Sequence, residues 1–186
     1  MQNTKRAWKS GMTTEAPLHQ IRLELDARID AGEWEQLSKL EAMASEAFQA
    51  ILTQKQFFMA KTVLNGSEVS LLFTDDASIK TINNDHRGQN KPTNVLSFPQ
   101  HPPDARRFGP YLGDLVFASE TIIGEAALEE KPLVHHLQHL MVHGFLHLVG
   151  YDHETDIEAE EMESLEVKIL EQLQIPNPYD LPDDGQ

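Results

Sequence analysis

None of the 186 residues is cysteine, which excludes a disulfide framework, a thiolate zinc finger and a thiol nucleophile. Any metal must then be held by imidazole or oxygen ligands. No apolar run approaches the roughly 18 residues that span a bilayer, and the N-terminal stretch lacks the apolar segment of a secretory signal. A cytoplasmic protein with no membrane partner is therefore expected. Basic residues are scarce as well, with 15 Lys and Arg against 30 Asp and Glu and a formal charge of -15. Taken whole, that balance opposes a nucleic-acid partner, because phosphate contacts need cations.

The charge is unevenly spread. Residues 154–186 carry eleven acids against the single Lys168, whereas residues 52–110 carry seven bases against five acids. A polyanion can still meet a locally positive middle segment. The length suits one globular domain with tails. Residues 1–18 lack periodicity and read as a disordered arm, 19–175 as the domain, and 176–186 as a flexible acidic tail.

Within the domain, Ile21, Leu23 and Leu25 alternate with charged residues, as in a half-buried strand. Trp34, Leu37, Leu40, Ala44, Phe48 and Ile51 recur at three and four residues and predict one long amphipathic helix. Strands are expected at 68–74, 93–98 and 112–118, and a short helix at 76–85 capped by Asp75 or Asp76. The Pro- and Gly-rich segment 100–111 reads as an exposed loop. From Ser119 the chain reads as helical: Ser119 as a cap, Pro132 in the first turn of a histidine-rich helix, and Thr155 with Glu158 at capping-box spacing. The last helix should end before Pro176 and turn Ile157, Met162, Leu165, Ile169 and Leu173 inward. The predicted fold is α+β, a single domain with a mixed sheet of about four strands packed against about five helices.

Four of the nine histidines fall in HLMVHGFLHLVGYDH, residues 139–153, and His135 and His136 lie just upstream. No charged residue occurs between Pro132 and Tyr151, so this helix should be buried and its histidines should need partners. His143 and His147, four apart, lie about 6 Å apart along one helix face. Gly150 can end the helix in a left-handed turn that returns His153 to the same point. The result is H-x3-H-x5-H, a three-nitrogen site with a fourth position open, as catalytic zinc sites require. Zinc suits it, as do nickel, copper and iron. His139, also four before His143, fits a role in orienting a ligand. The pattern differs from that of metzincin proteases, because Gly144 stands where their general-base Glu would be. Peptide hydrolysis by that route loses its base. Water activation near neutral pH remains open to the site, and a phosphodiester's charge could be met by an arginine.

HGFLHLVGYDH (143–153), Arg87 with KPTNVLSFP (91–99), and LGDLVFA (112–118) together resemble, in this order, the landmarks of the YbeY endoribonucleases, also called rRNA maturation factors. The resemblance spans residues 21–173. It implies a single-strand-specific, metal-dependent endoribonuclease of ribosomal RNA, acting at the 3′ end of the small-subunit 16S RNA and in ribosome quality control. RNA and the ribosome or its small subunit are then the partners, and one Zn2+ per chain the cofactor. His143, His147 and His153 would be its ligands and Arg87 the cleft arginine. Where the family commonly has Asp in the TDVLSFP strand, this chain has Asn94, which leaves proton transfer to the metal-activated water, Asp152, Glu154 or another acid. Thr93, Ser97 and Phe98 read as a buried strand, and Gly113 and Asp114 as turn or cleft-wall residues.

Overall fold

The computed structural model describes residues 21–35, 37, 39–55, 57 and 61–180. The arm at 1–18 and residues 181–186 of the acidic tail lie outside the described residues. Six strands and five helices are described: β1 Leu23–Ile29, α1 Leu40–Leu52, β2 Thr62–Val63, β3 Ser67–Thr74, α2 Asp76–Arg87, β4 Val95–Pro99, β5 Arg107–Phe108, β6 Tyr111–Ala118, α3 Ser119–Leu128, α4 Leu133–Leu148 and α5 Asp156–Gln172. The main sheet has the order β1-β3-β6-β4. Its first three strands are parallel, and β4 pairs antiparallel with β6 at the edge, Ser97 opposite Leu115. This is the mixed four-stranded sheet and α+β class that the sequence predicts.

Helix α4 is the centre of the core. Leu137, Met141, Val142, Phe145, Leu146 and Leu148 are fully buried, and the Phe145 ring meets Phe48 of α1 at 4.7 Å. Burying one such ring contributes about 1.5 to 3 kcal/mol. Gly144 lets α4 settle onto the sheet, since a Cβ there would come 2.9 Å from Leu115 Cδ2. The helix is thereby held against β4 and β6, and β4 carries Val95, Ser97 and Pro99 of the histidine cleft.

Three local expectations are corrected. Helix α1 begins at Leu40 rather than near Trp34. Trp34 is buried outside the helix because its indole Nε1 donates to Thr74 O at 3.1 Å, and Lys39 takes φ 68, which no helix can run through. Ser119 is the first helical residue rather than the cap: its hydroxyl accepts from Glu33 N at 2.9 Å and donates to Glu120. The 100–111 segment is not wholly exposed, since Phe108 is fully buried and β5 pairs in parallel with β2.

Two caps form as predicted, whereas Pro132 precedes the histidine helix as its N-cap rather than sitting in the first turn. Asp75 Oδ1 accepts from Ser78 N at 2.8 Å, a bond that also lowers the carboxyl's pKa. Thr155 and Glu158 close a capping box. Helix α2 runs two residues beyond the predicted Asp85, to a left-handed Gly88, so Arg87 sits in its last turn.

Candidate metal centre

The end of α4 forms the turn that the glycine predicts. Gly150 has φ +76, its N–H donates to His147 O at 3.0 Å, and Tyr151 N–H donates to Leu146 O at 3.0 Å, the two bonds of a Schellman turn. A Cβ at Gly150 would lie 2.4 Å from Pro103 O, so the turn needs glycine for space as well as for conformation. Lys61 Nζ donates to Gly150 O at 3.1 Å from the other side. This fixed reversal brings His153 back beside the helix. Ligand atoms of His143, His147 and His153 all lie within 4.8 Å of one another, and among the described residues no other His or acid group forms such a cluster.

The protons on these rings are placed by hydrogen bonds. His147 Nδ1 lies 3.0 Å from the carbonyl of Tyr151, which can only accept, so that nitrogen carries the hydrogen. His143 Nδ1 lies 2.9 Å from Oε1 of Glu166, a fully buried carboxylate. Both Nε2 atoms therefore carry lone pairs, and they face each other at 3.1 Å. Two lone pairs at that separation repel unless a cation or proton lies between them. Desolvation above all pushes the His147 pKa down to about 4, which opposes a proton on that ring. A metal ion suits this donor set, in which three imidazoles converge within 4.8 Å.

Glu166 was missed by sequence reasoning. Helix α5 packs on α4 and directs its carboxylate at His143, at His139 Nε2 at 3.0 Å, and at the hydroxyl of Tyr179. Burial works to raise its pKa, but the bonds and charges of His139 and His143 bring it down to about 2. Burial and this neighbouring carboxylate push the Tyr179 pKa up, so the phenol keeps its proton and donates. A signal was present in the sequence. Met162, Leu165, Ile169 and Leu170 are buried, and Glu166 falls on the same helical face, a charge where apolar residues belong. Ile157, expected to point inward, is instead 79% exposed.

A Glu166→Gln substitution keeps the shape but puts an amide NH2 among groups that donate to the carboxylate. Metal affinity should fall about 10- to 100-fold, the usual cost of losing a partner that orients a ligand. Competition with a chromophoric chelator measures it; unchanged affinity would show that Glu166 only fills space.

Arg87 lines the same cleft as the three histidines, a space of about 490 Å³ whose walls include Thr93, Asn94, Ser97, Asp152 and Glu154. Its guanidinium donates to Ser97 O at 3.2 Å. Lys91 is exposed and is not among the cleft-lining residues. Thr93 and Ser97, expected as plain strand residues, face this cleft, while Phe98 and Asp114 line a different space on the sheet. Gly113 is a close-approach position, where a Cβ would come 2.2 Å from Phe98 O. Behind the cleft, Asn94 Nδ2 donates to both oxygens of Glu125, at 3.2 and 3.0 Å, and Glu125 also meets His136 Nε2 at 2.9 Å. That carboxylate too was missed, because it lies 31 residues from Asn94 in the chain.

Comparison with known proteins places these residues in context. The model of the family described as endoribonuclease YbeY matches residues 28–174. A protein from Allorhizobium ampelinum named endoribonuclease YbeY is 47% identical over 163 residues, covering 85% of this chain and 95% of its own. One of the same name from Sinorhizobium medicae is 47% identical over 167 residues, covering 86% and 97%. A solution structure from Thermotoga maritima aligns with 86% of this chain and 99% of its own at 23% identity, with a TM-score of 0.49.

Proposed function

The chain belongs to the endoribonuclease YbeY family, and from that premise we propose that it is a metal-dependent endoribonuclease specific for single-stranded ribosomal RNA. Its substrates on this view are the 3′ end of the small-subunit 16S RNA and the RNA of defective ribosomes, met in the cytoplasm. Among the described residues no helix is long and apolar enough to cross a membrane.

What carries the proposal is the pair of imidazole lone pairs facing each other at 3.1 Å in a cleft that Arg87 also lines. His143, His147 and His153 would hold one zinc ion. Zinc bound there supplies Lewis acidity, which makes water a nucleophile near neutral pH and offsets charge on a phosphodiester. Glu166 and the Tyr151 carbonyl keep Nδ1 protonated on His143 and His147, so Nε2 stays free to ligate. Arg87, anchored at the Ser97 carbonyl, would grip a phosphate oxygen with its remaining donors. Asp152 and Glu154 both line the cleft, and on this reading one of them would take a proton from the attacking water. A cleft of about 490 Å³ admits one strand, whereas duplex RNA is bound across successive grooves over a far larger surface. The acids of α5 repel phosphate and leave the Arg87 side as its entry.

Protein purified without chelator should contain about one zinc per chain and cut single-stranded RNA at least about 10-fold faster than duplex. Chelation should abolish cleavage, and added zinc should restore it. Equal cutting of duplex, or peptide hydrolysis with no RNA cleavage under any divalent metal, would end this assignment.

A further inference from the structure

A second groove, of about 420 Å³, adjoins the histidine cluster. It shares Asn94, His143 and His153 with the Arg87 cleft, but among the described residues no Lys or Arg lines it. Leu140, Ala159 and Met162 contribute apolar surface, and Glu163 adds a carboxylate. Phosphate would be repelled here. The groove suits a flat apolar group that carries N–H donors.

Tyr179 makes the groove specific. The residue is 41% exposed, yet it is not loose: the hydroxyl is tied to buried Glu166, and the ring meets His139 edge to face at 5.8 Å. An exposed aromatic held at both its tip and its side has already lost its rotamer freedom, so a stacking partner need not order it. Aromatic rings presented in this way are the platforms on which unpaired bases stack.

We propose that this groove is a nucleobase subsite, in which an unpaired base next to the phosphate at Arg87 stacks on Tyr179 and presents N–H groups to Glu163. The subsite rests on the ribonuclease function proposed above and gives its strand preference a cause. A base can enter the groove only if it is free of its pairing partner, so a duplex must first pay the cost of unpairing and unstacking. A carboxylate accepts only, and its two oxygens can face two donors. Guanine, with N1–H and N2–H2 on one edge, should bind best, and uracil, with a single N–H on that edge, worst.

The test is a coupling measurement on the zinc-loaded protein. Labelled 2′-O-methyl RNA hexamers, checked intact after each titration, are bound by fluorescence anisotropy while one abasic nucleotide is walked along the strand. At one position the abasic change should weaken binding about 10-fold, within the range of one stacked base. Tyr179→Ala should weaken the intact hexamer by a similar factor, and the two changes together should cost no more than either alone. Tyr179→Phe, which loses the bond to Glu166 but keeps the ring, should stay within about 3-fold of the parent. That separates stacking from support of the metal site. Glu163→Gln should level the preference for guanine over uracil at that position. Losses that multiply at every position, or a Tyr179→Ala protein that binds as well as or better than the parent, would overturn the subsite. If the parent still cuts single-stranded RNA in that case, the ribonuclease function stands without it; if the parent neither binds nor cuts RNA, both fall together.

Discussion

His147→Ala is expected to leave purification without metal and without ribonuclease activity. The substitution removes one of three clustered nitrogens and leaves two, of which His153 is exposed. Loss of an outer partner alone typically costs 10- to 100-fold in affinity, so loss of a ligand should exceed about 10²-fold. The folding equilibrium should show it as well. Metal in 100-fold excess over its Kd stabilises the parent by about 2.7 kcal/mol, and that increment should vanish in the variant. In chelator the two proteins should melt nearly alike, because removing His147 gives up its bond to the Tyr151 carbonyl but also relieves the facing lone pairs at 3.1 Å. Elemental analysis, melting with and without zinc, and RNA cleavage together decide it. A variant that keeps one metal per chain would move the site elsewhere.

Arg87→Ala and Arg87→Lys should behave differently, keeping metal and fold while losing rate. Arg87 is exposed at the end of α2, and exposed substitutions usually change stability by no more than about 0.5 kcal/mol. Its proposed work is to stabilise charge that grows at the phosphate, where loss of one preorganised donor costs about 10²-fold or more in rate. Lysine should not rescue, since an ammonium cannot reproduce two parallel N–H bonds to a phosphate from the same anchor. Single-turnover cleavage of metal-replete protein gives the rate directly. Parent-like cleavage by Arg87→Ala would remove the arginine from the chemistry.

The histidine cluster was legible in the sequence because its geometry is local. A spacing of four on one helix puts His143 and His147 on one face, and a glycine in the left-handed region turns the chain to His153 within six residues. The four strands of the main sheet and the Thr155 capping box follow from equally short-range patterns. The start of α1 did not, because the buried Trp34 at 3% exposure is held by Thr74, forty residues away, and apolar periodicity cannot distinguish a buried turn from a buried helix. Arg87 was named from a motif, but its place in the cleft depends on how α2 packs against β4. Only tertiary packing decided which nitrogens carry protons. Glu166 reaches His143 across 23 residues of sequence and Tyr179 closes on it from beyond the helix, while Glu125 reaches Asn94 across 31. A buried carboxylate must find donors, and those donors are brought to it by the docking of α5 on α4, an arrangement set by the whole core and by no short stretch of residues.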